Sequence, residues 1–156
     1  MKKRKPARLI LTLLVVAVVV AQFVPVTRDN PPVGADFDGD AAVKAVLKKS
    51  CYDCHYNETV WPWYSYVAPV SWLVASDVTE AREKLNFSDW GQMSPENQAH
   101  ASREVWKEIE KGEMPLGMYL LMHSEAVPTE ADKVVIQNWA GGTAGQTAEP
   151  MEEAGE

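Results

Sequence analysis

The hydrophobic positions of this chain form one continuous block followed by shorter periodic stripes. The block runs from Leu9 to Val24 and is almost wholly apolar, and residues 2–8 ahead of it hold five cations and no acid. A basic segment before an apolar segment is typical of an export signal. Counted to Val26, the apolar run has 18 residues, or about 27 Å as a helix, near the lower limit for a membrane span. We predict that residues 1–26 form a signal anchor or transmembrane helix, with a cleaved signal as the alternative.

Beyond residue 40 the apolar positions recur at helical spacing, and capping signals bracket four helices. The first carries the stripe Val43, Val46 and Leu47. The predicted helices begin after Asp40, Pro69, Ser94 and Thr129, and they end near Cys51, Leu85, Gly112 and Gly141. No run of alternating residues indicates a strand, so the predicted fold class is all-α.

Composition sets the predicted domain boundaries. Residues 27–39 are polar and rich in proline and glycine, which indicates a linker. Residues 141–156 are acidic and poor in apolar side chains, which predicts a disordered tail. The remaining segment, 40–140, is one small domain of roughly 100 residues, whose core would be marginal without a bound cofactor.

Residues 51–55 read Cys-Tyr-Asp-Cys-His and contain both cysteines of the chain. This is the attachment signature of haem c. Cys51 and Cys54 can form thioether bonds to two vinyl groups, and the His55 imidazole can then bind the iron from one side. We therefore predict one haem c, attached through both cysteines. The alternatives are a disulfide, a zinc site, which would need four ligands, or unrelated surface residues.

The second axial ligand is predicted to be Met114. It follows the glycine that ends the third helix and precedes Pro115, so an irregular loop can project its sulfur. His123 is the rival ligand, and a His–His site would have a lower potential than a His–Met site. An open or water-bound position is a further possibility. The other candidate side chains are Met93, His100, Met118, Met122 and Met151.

An aromatic cluster follows the motif. Its members are Trp61, Trp63, Tyr64, Tyr66 and Trp72. We interpret them as ordinary aromatic core, and a wall around the haem is the alternative interpretation. A metal-bound histidine usually donates its second ring N–H to an acceptor, and we expect the carbonyl of Pro62 or Pro69 to accept it from His55.

The chain resembles two groups of haem proteins. The order helix, Cys-x-x-Cys-His, helices, Gly-x-Met-Pro and last helix resembles class I cytochromes c, which implies His55 as proximal and Met114 as distal ligand. A closer resemblance, over about residues 41–140, is to the bacterial haem-binding domain family (Haem_bd). The residues that carry it are 51–65 with their Trp-Pro-Trp-Tyr-Ser run, 68–72, 86–90, 112–115, Tyr119, His123 and Trp139. This resemblance implies a c-type haem domain and supplies no partner.

Charge limits the classes of partner. The whole chain has a formal charge of −7, and residues 1–28 contain six cations and no acid, which leaves −13 on residues 29–156. Nucleic-acid binding needs a basic face and is therefore excluded. An acidic domain suits docking to a basic patch on an exported redox protein.

These observations together predict a monohaem c-type cytochrome that carries single electrons. It would work in the periplasm or at the outer face of the cytoplasmic membrane, tethered through the N-terminal helix. The alternative is a haem-based sensor or ligand-binding module with a displaceable distal methionine. We do not expect an enzyme, because the sequence contains no recognisable distal acid–base pair.

Overall fold

The protein is all-α, as predicted. The structure, a computed structural model, describes residues 4–145. This part of the chain contains helices and no strand. The α-helices are α1 (Arg4–Ala21), α2 (Ala41–Ser50), α3 (Tyr52–His55), α4 (Val70–Lys84), α5 (Pro95–Lys111), α6 (Gly117–Leu120) and α7 (Glu130–Gly145). Short 3₁₀ turns lie at Trp63–Tyr66, Phe87–Gln92 and Ser124–Ala126.

Polar caps set the helix starts that the sequence predicted. The Asp40 carboxylate accepts hydrogen bonds from two amides at the start of α2, at 2.6 and 3.4 Å. The Ser94 hydroxyl accepts one from the amide of Asn97 at 3.3 Å. Thr129 and Asp132 bond each other reciprocally at the start of α7, as in a capping box. These side chains satisfy amide groups that have no partner inside a helix.

The last helix extends further than the sequence predicted. We expected α7 to stop at Gly141, but it continues to Gly145. Glycine permits the left-handed conformation that ends a helix without requiring it. Among the described glycines only Gly112 has a positive φ, of 74°. The predicted disordered tail starts at residue 141, and its part from residue 146 onward lies outside the described residues.

The hydrophobic core lies where α7 packs against both α2 and α5. Its aromatic centre is Phe37, whose ring lies 5.4 Å from that of Trp90 and 5.7 Å from that of Trp139. The buried members of this core are Phe37, Val43, Val46, Leu47, Tyr52, Tyr56, Phe87, Trp90, Ile109 and Ile136.

Residues 27–39, predicted to be a linker, are part of the folded domain. Phe37 is only 1% exposed, and the Arg28 guanidinium donates a hydrogen bond to the carbonyl of Ser65 at 3.0 Å. The linker prediction was wrong because a high content of proline and glycine indicates irregular backbone. It does not indicate a lack of tertiary contacts.

The N-terminal helix α1 does not support the predicted membrane span. Among residues 4–145, no helix is both long and apolar enough to cross a bilayer. Basic side chains occupy α1 as far as Arg8, which leaves 13 residues from Leu9 to Ala21. That length is about 20 Å of helix, against a hydrocarbon core of about 30 Å. After α1, the Gln22 amide pairs with the backbone N–H and C=O of Ala68, at 3.1 and 3.2 Å.

Replacing the buried ring of the 27–39 segment tests its place in the core. Phe37→Ala should lower the free energy of unfolding by about 3–5 kcal/mol, because it empties a close-packed site. Val33→Ala is the matched control, since Val33 is 36% exposed, and it should change stability by less than about 0.5 kcal/mol. Denaturant unfolding followed by circular dichroism measures both values. Equal effects of the two substitutions would contradict the assignment.

Candidate functional site

A cavity of about 620 Å³ opens beside the core. Its walls come from the turn α3, from α4, from α5 and from the loop that follows α5. The volume lies within the range of roughly 300–1,000 Å³ that small-molecule and cofactor sites occupy. Since segments far apart in the sequence contribute walls, the site exists only when they pack together.

The Cys-x-x-Cys-His residues share one side of this cavity. Cys51 follows α2, and the amides of Cys54 and His55 both donate to the Cys51 carbonyl, at 3.2 and 2.9 Å. Residues three and four apart on such a turn lie on one face, and all three side chains line the cavity. Both thiols are free, so the disulfide considered above is not formed.

His55 is held in one orientation by a backbone carbonyl. Its Nδ1 lies 2.9 Å from the carbonyl oxygen of Leu85, and because a carbonyl can only accept, Nδ1 carries the proton. Nε2 therefore keeps a free lone pair. Burial lowers the pKa of the imidazole, which favours the neutral form that binds metals.

Our prediction of the carbonyl that accepts the hydrogen bond from His55 was wrong. The sequence pointed to Pro62 or Pro69, whereas the structure uses Leu85. Leu85 ends α4, where carbonyl groups have no partner inside the helix. Every residue carries such a carbonyl, so only the packing of α3 against α4 singles this one out.

The loop after α5 brings Met114 to the cavity. Gly112, with φ of 74°, ends α5. The amides of Glu113 and Met114 then donate to the carbonyl of Glu108, at 3.0 and 3.2 Å. Met114 is half-buried and lines the same cavity as His55. Its role as an iron ligand remains a prediction.

Comparison with known proteins decides the family. The sequence profile of the haem-binding domain matches residues 16–141, which are 126 of the 156 residues. The chain belongs to the haem-binding domain family. No curated protein and no solved structure matches the chain, so the resemblance to class I cytochromes c remains a prediction. The protein is accordingly a haem-binding protein.

The residues of the cavity fit the cofactor of this family. A neutral imidazole, a thioether and two thiols line the cavity beside the core side chains Phe87 and Ile109. Imidazole and thioether are haem ligands, and apolar walls suit a porphyrin. The zinc alternative has no support, because no cluster of three His, Cys, Asp or Glu side chains within residues 4–145 could hold a metal ion.

His123, the rival distal ligand, lies outside the cavity lining. Its Nε2 lies 2.8 Å from the hydroxyl of Tyr64, and its Nδ1 lies 3.1 Å from a carboxylate oxygen of Glu125. Both ring nitrogens are thus engaged, and the structure does not bring His123 together with His55.

The remaining candidate ligands divide into two groups. Met93 and His100 line the cavity with Met114. Met118 and Met122 are 69% and 56% exposed and do not line it. Met151 lies outside the described residues.

The aromatic cluster after the motif neither walls the cavity nor forms core. Trp63, Tyr66 and Trp72 are 69%, 57% and 41% exposed, and no member of the cluster lines the cavity. The prediction was wrong because α4 buries Ser71, Val78 and Ala81 instead of the Trp72 face. The aromatic side chains that do line the cavity are Phe87 and Tyr119.

The two thiols should be unusually unreactive without haem. Burial and the neighbouring Cys54 raise the pKa of Cys51 to about 12, and burial with the charges of Asp53 and Asp77 raises the pKa of Cys54 to about 11. Since the thiolate is the nucleophile, both thiols stay protonated and slow to react at neutral pH.

Alkylation of the haem-free protein tests this expectation. At pH 8, Cys54 should react with iodoacetamide about 100-fold more slowly in the folded chain than in the denatured chain, and Cys51 about 1,000-fold more slowly. Peptide mass spectrometry over time measures each rate. Similar rates in the folded and denatured chains would contradict the raised pKa values.

Proposed function

We propose that this protein is a monohaem c-type cytochrome that carries one electron at a time. The observation that carries the proposal is that Cys51, Cys54, His55 and Met114 line one cavity. Two of these residues suit covalent attachment and two suit axial ligation.

Cys51 and Cys54 would hold the cofactor through two thioether bonds. Each thiol would add across a vinyl C=C bond, with its sulfur on one carbon and its hydrogen on the other, so that no oxidant would be consumed. Attachment at two points fixes the cofactor relative to His55.

His55 and Met114 supply the axial atoms. The bond to Leu85 aims the lone pair of His55 Nε2 away from that carbonyl, and Met114 would offer a thioether from the loop that lines the same cavity. Haem held in this way supplies an iron that takes up and releases one electron. Two protein ligands leave no open coordination position for a substrate, so the protein is proposed to be a carrier and not an enzyme.

The partner is proposed to be an exported redox protein with a basic surface. Residues 29–156 carry a formal charge of −13, and Asp77, Glu80 and Glu104 lie among the residues that line the cavity. A basic partner would be steered toward this side, at a rate that falls as the ionic strength rises.

The protein is proposed to work in the periplasm or at the outer face of the cytoplasmic membrane. The basic segment of residues 2–8 and the apolar run after it support export. Covalent haem attachment takes place on that side.

Export can be tested through attachment itself. Deletion of residues 1–21 should abolish haem that stays on the denatured polypeptide, and an unrelated cleavable export signal in their place should restore it. Haem staining of denaturing gels gives the measurement. The doubly substituted Cys51→Ala, Cys54→Ala chain is the negative control. Covalent haem on the chain without any signal would overturn the proposed location.

Spectroscopy of the haem-loaded protein tests the axial ligands. Met114→Ala should lose the low-spin spectrum and bind CO in its ferrous form at least roughly tenfold faster, because the distal position is opened. Met118→Ala is the matched control, since Met118 is 69% exposed, and it should behave as wild type. If the wild-type protein is high-spin and binds CO at once, the carrier proposal is overturned and the sensor function takes its place.

A further inference from the structure

We propose that two tyrosine hydrogen bonds, from Tyr119 to Asp53 and from Tyr64 to His123, form a clamp that positions the methionine loop across the cavity. Residues 113–123 are called the methionine loop here. Tyr119 and His123 are then positioning residues, which act on the haem site through Met114. The inference rests on the proposed function in one respect, the role of Met114 as axial ligand.

The first bond of the clamp joins the loop to the attachment motif. The hydroxyl of Tyr119 donates to a carboxylate oxygen of Asp53 at 2.7 Å, across 66 residues of sequence. Asp53 stands between Cys51 and Cys54, so the loop is tied to the same turn that carries the thiols. A hydrogen bond to an ionised acceptor is stronger than one between neutral groups.

The second bond of the clamp joins the far end of the loop to the 3₁₀ turn Trp63–Tyr66. The hydroxyl of Tyr64 lies 2.8 Å from Nε2 of His123. A carboxylate oxygen of Glu125 lies 3.1 Å from Nδ1 of His123. A neutral His123 therefore donates from Nδ1 to Glu125, and its Nε2 accepts a hydrogen bond from the Tyr64 hydroxyl.

Ring stacking couples the two bonds. The rings of Tyr119 and His123 are 4.3 Å apart and 10° from parallel. A movement of either ring therefore displaces the other, and the loss of one bond weakens both.

No side chain of the loop is fully buried. Met118, Leu121 and Met122 are 69%, 74% and 56% exposed, and α6 within the loop contains no buried residue. Its first amides bond to Glu108, and the next buried side chain is Ala126, beyond the loop. Leu116 and Leu120 of the loop are half-buried, so partial apolar burial and the two tyrosine bonds together hold the loop closed.

Closure of this loop decides whether the thioether stays at the cavity. With the clamp intact, Met114 remains at the cavity that His55 also lines and excludes ligands from solvent. With the clamp broken, the loop opens more often and an external ligand reaches the distal side faster.

Tyr119→Phe in the haem-loaded protein tests the clamp, because it removes only the hydroxyl and keeps the stacked ring. Backbone amides of residues 113–123 should exchange with deuterium roughly 10- to 100-fold faster, as expected for the loss of a hydrogen bond to a charged group. CO association with the ferrous form should accelerate by a similar factor. Tyr66→Phe is the matched control, since Tyr66 is 57% exposed and its ring lies under the Arg28 guanidinium, and it should change neither rate.

A double substitution separates the bond from general damage. If the hydroxyl acts through Asp53, the Asp53→Ala, Tyr119→Phe protein should exchange no faster than the Asp53→Ala protein. Additive effects of the two substitutions would overturn the assignment of the bond.

The two measurements distinguish failure of the clamp from failure of the proposed function. Unchanged loop exchange in Tyr119→Phe overturns the clamp. Faster exchange with a wild-type CO rate, while Met114→Ala binds CO faster, overturns its positioning role. A wild-type CO rate in both variants overturns the axial role of Met114, and the exchange rates then still decide whether the loop is clamped.

Discussion

The hydrogen bond from His55 Nδ1 to the Leu85 carbonyl is the interaction on which the site depends. It selects one tautomer and leaves the lone pair of Nε2 free to bind a metal. It also joins α3 to the end of α4. Without it the imidazole could rotate, and the attachment turn would lose one of its hydrogen bonds to the α4 segment. A backbone acceptor at a helix end is well suited to this task, because its position is set by the helix and not by a flexible side chain.

The cavity and the hydrophobic core share a wall. Phe87 and Ile109 belong to the core and also line the cavity, so an apolar cofactor would extend the core of a domain that is small for its surface. Haem binding and folding are then linked, since a ligand that binds only the folded chain stabilises it. The same arrangement explains why irregular segments such as 27–39 pack closely: a short chain needs buried apolar groups like Phe37 from all of its parts.

The predictions that failed have a common cause. Proline and glycine before α2, the glycines in α7 and the tryptophans near the motif were interpreted from local composition. Composition reports which backbone conformations are accessible, and it does not report what a segment contacts. Phe37 is buried and Trp63 is exposed, although both are aromatic residues outside the α-helices, because only the first faces the packed helices.

The sequence by itself determined the all-helical class, the capped starts of α2, α5 and α7, the family and the motif at residues 51–55. Caps and motifs act over three or four neighbouring residues, so the local sequence is enough to specify them. Only the tertiary structure decided that Leu85 orients His55, that Tyr119 reaches Asp53 and that His123 lies outside the cavity. These relations join residues 30 or more positions apart, and they depend on how helices pack, which no local pattern encodes.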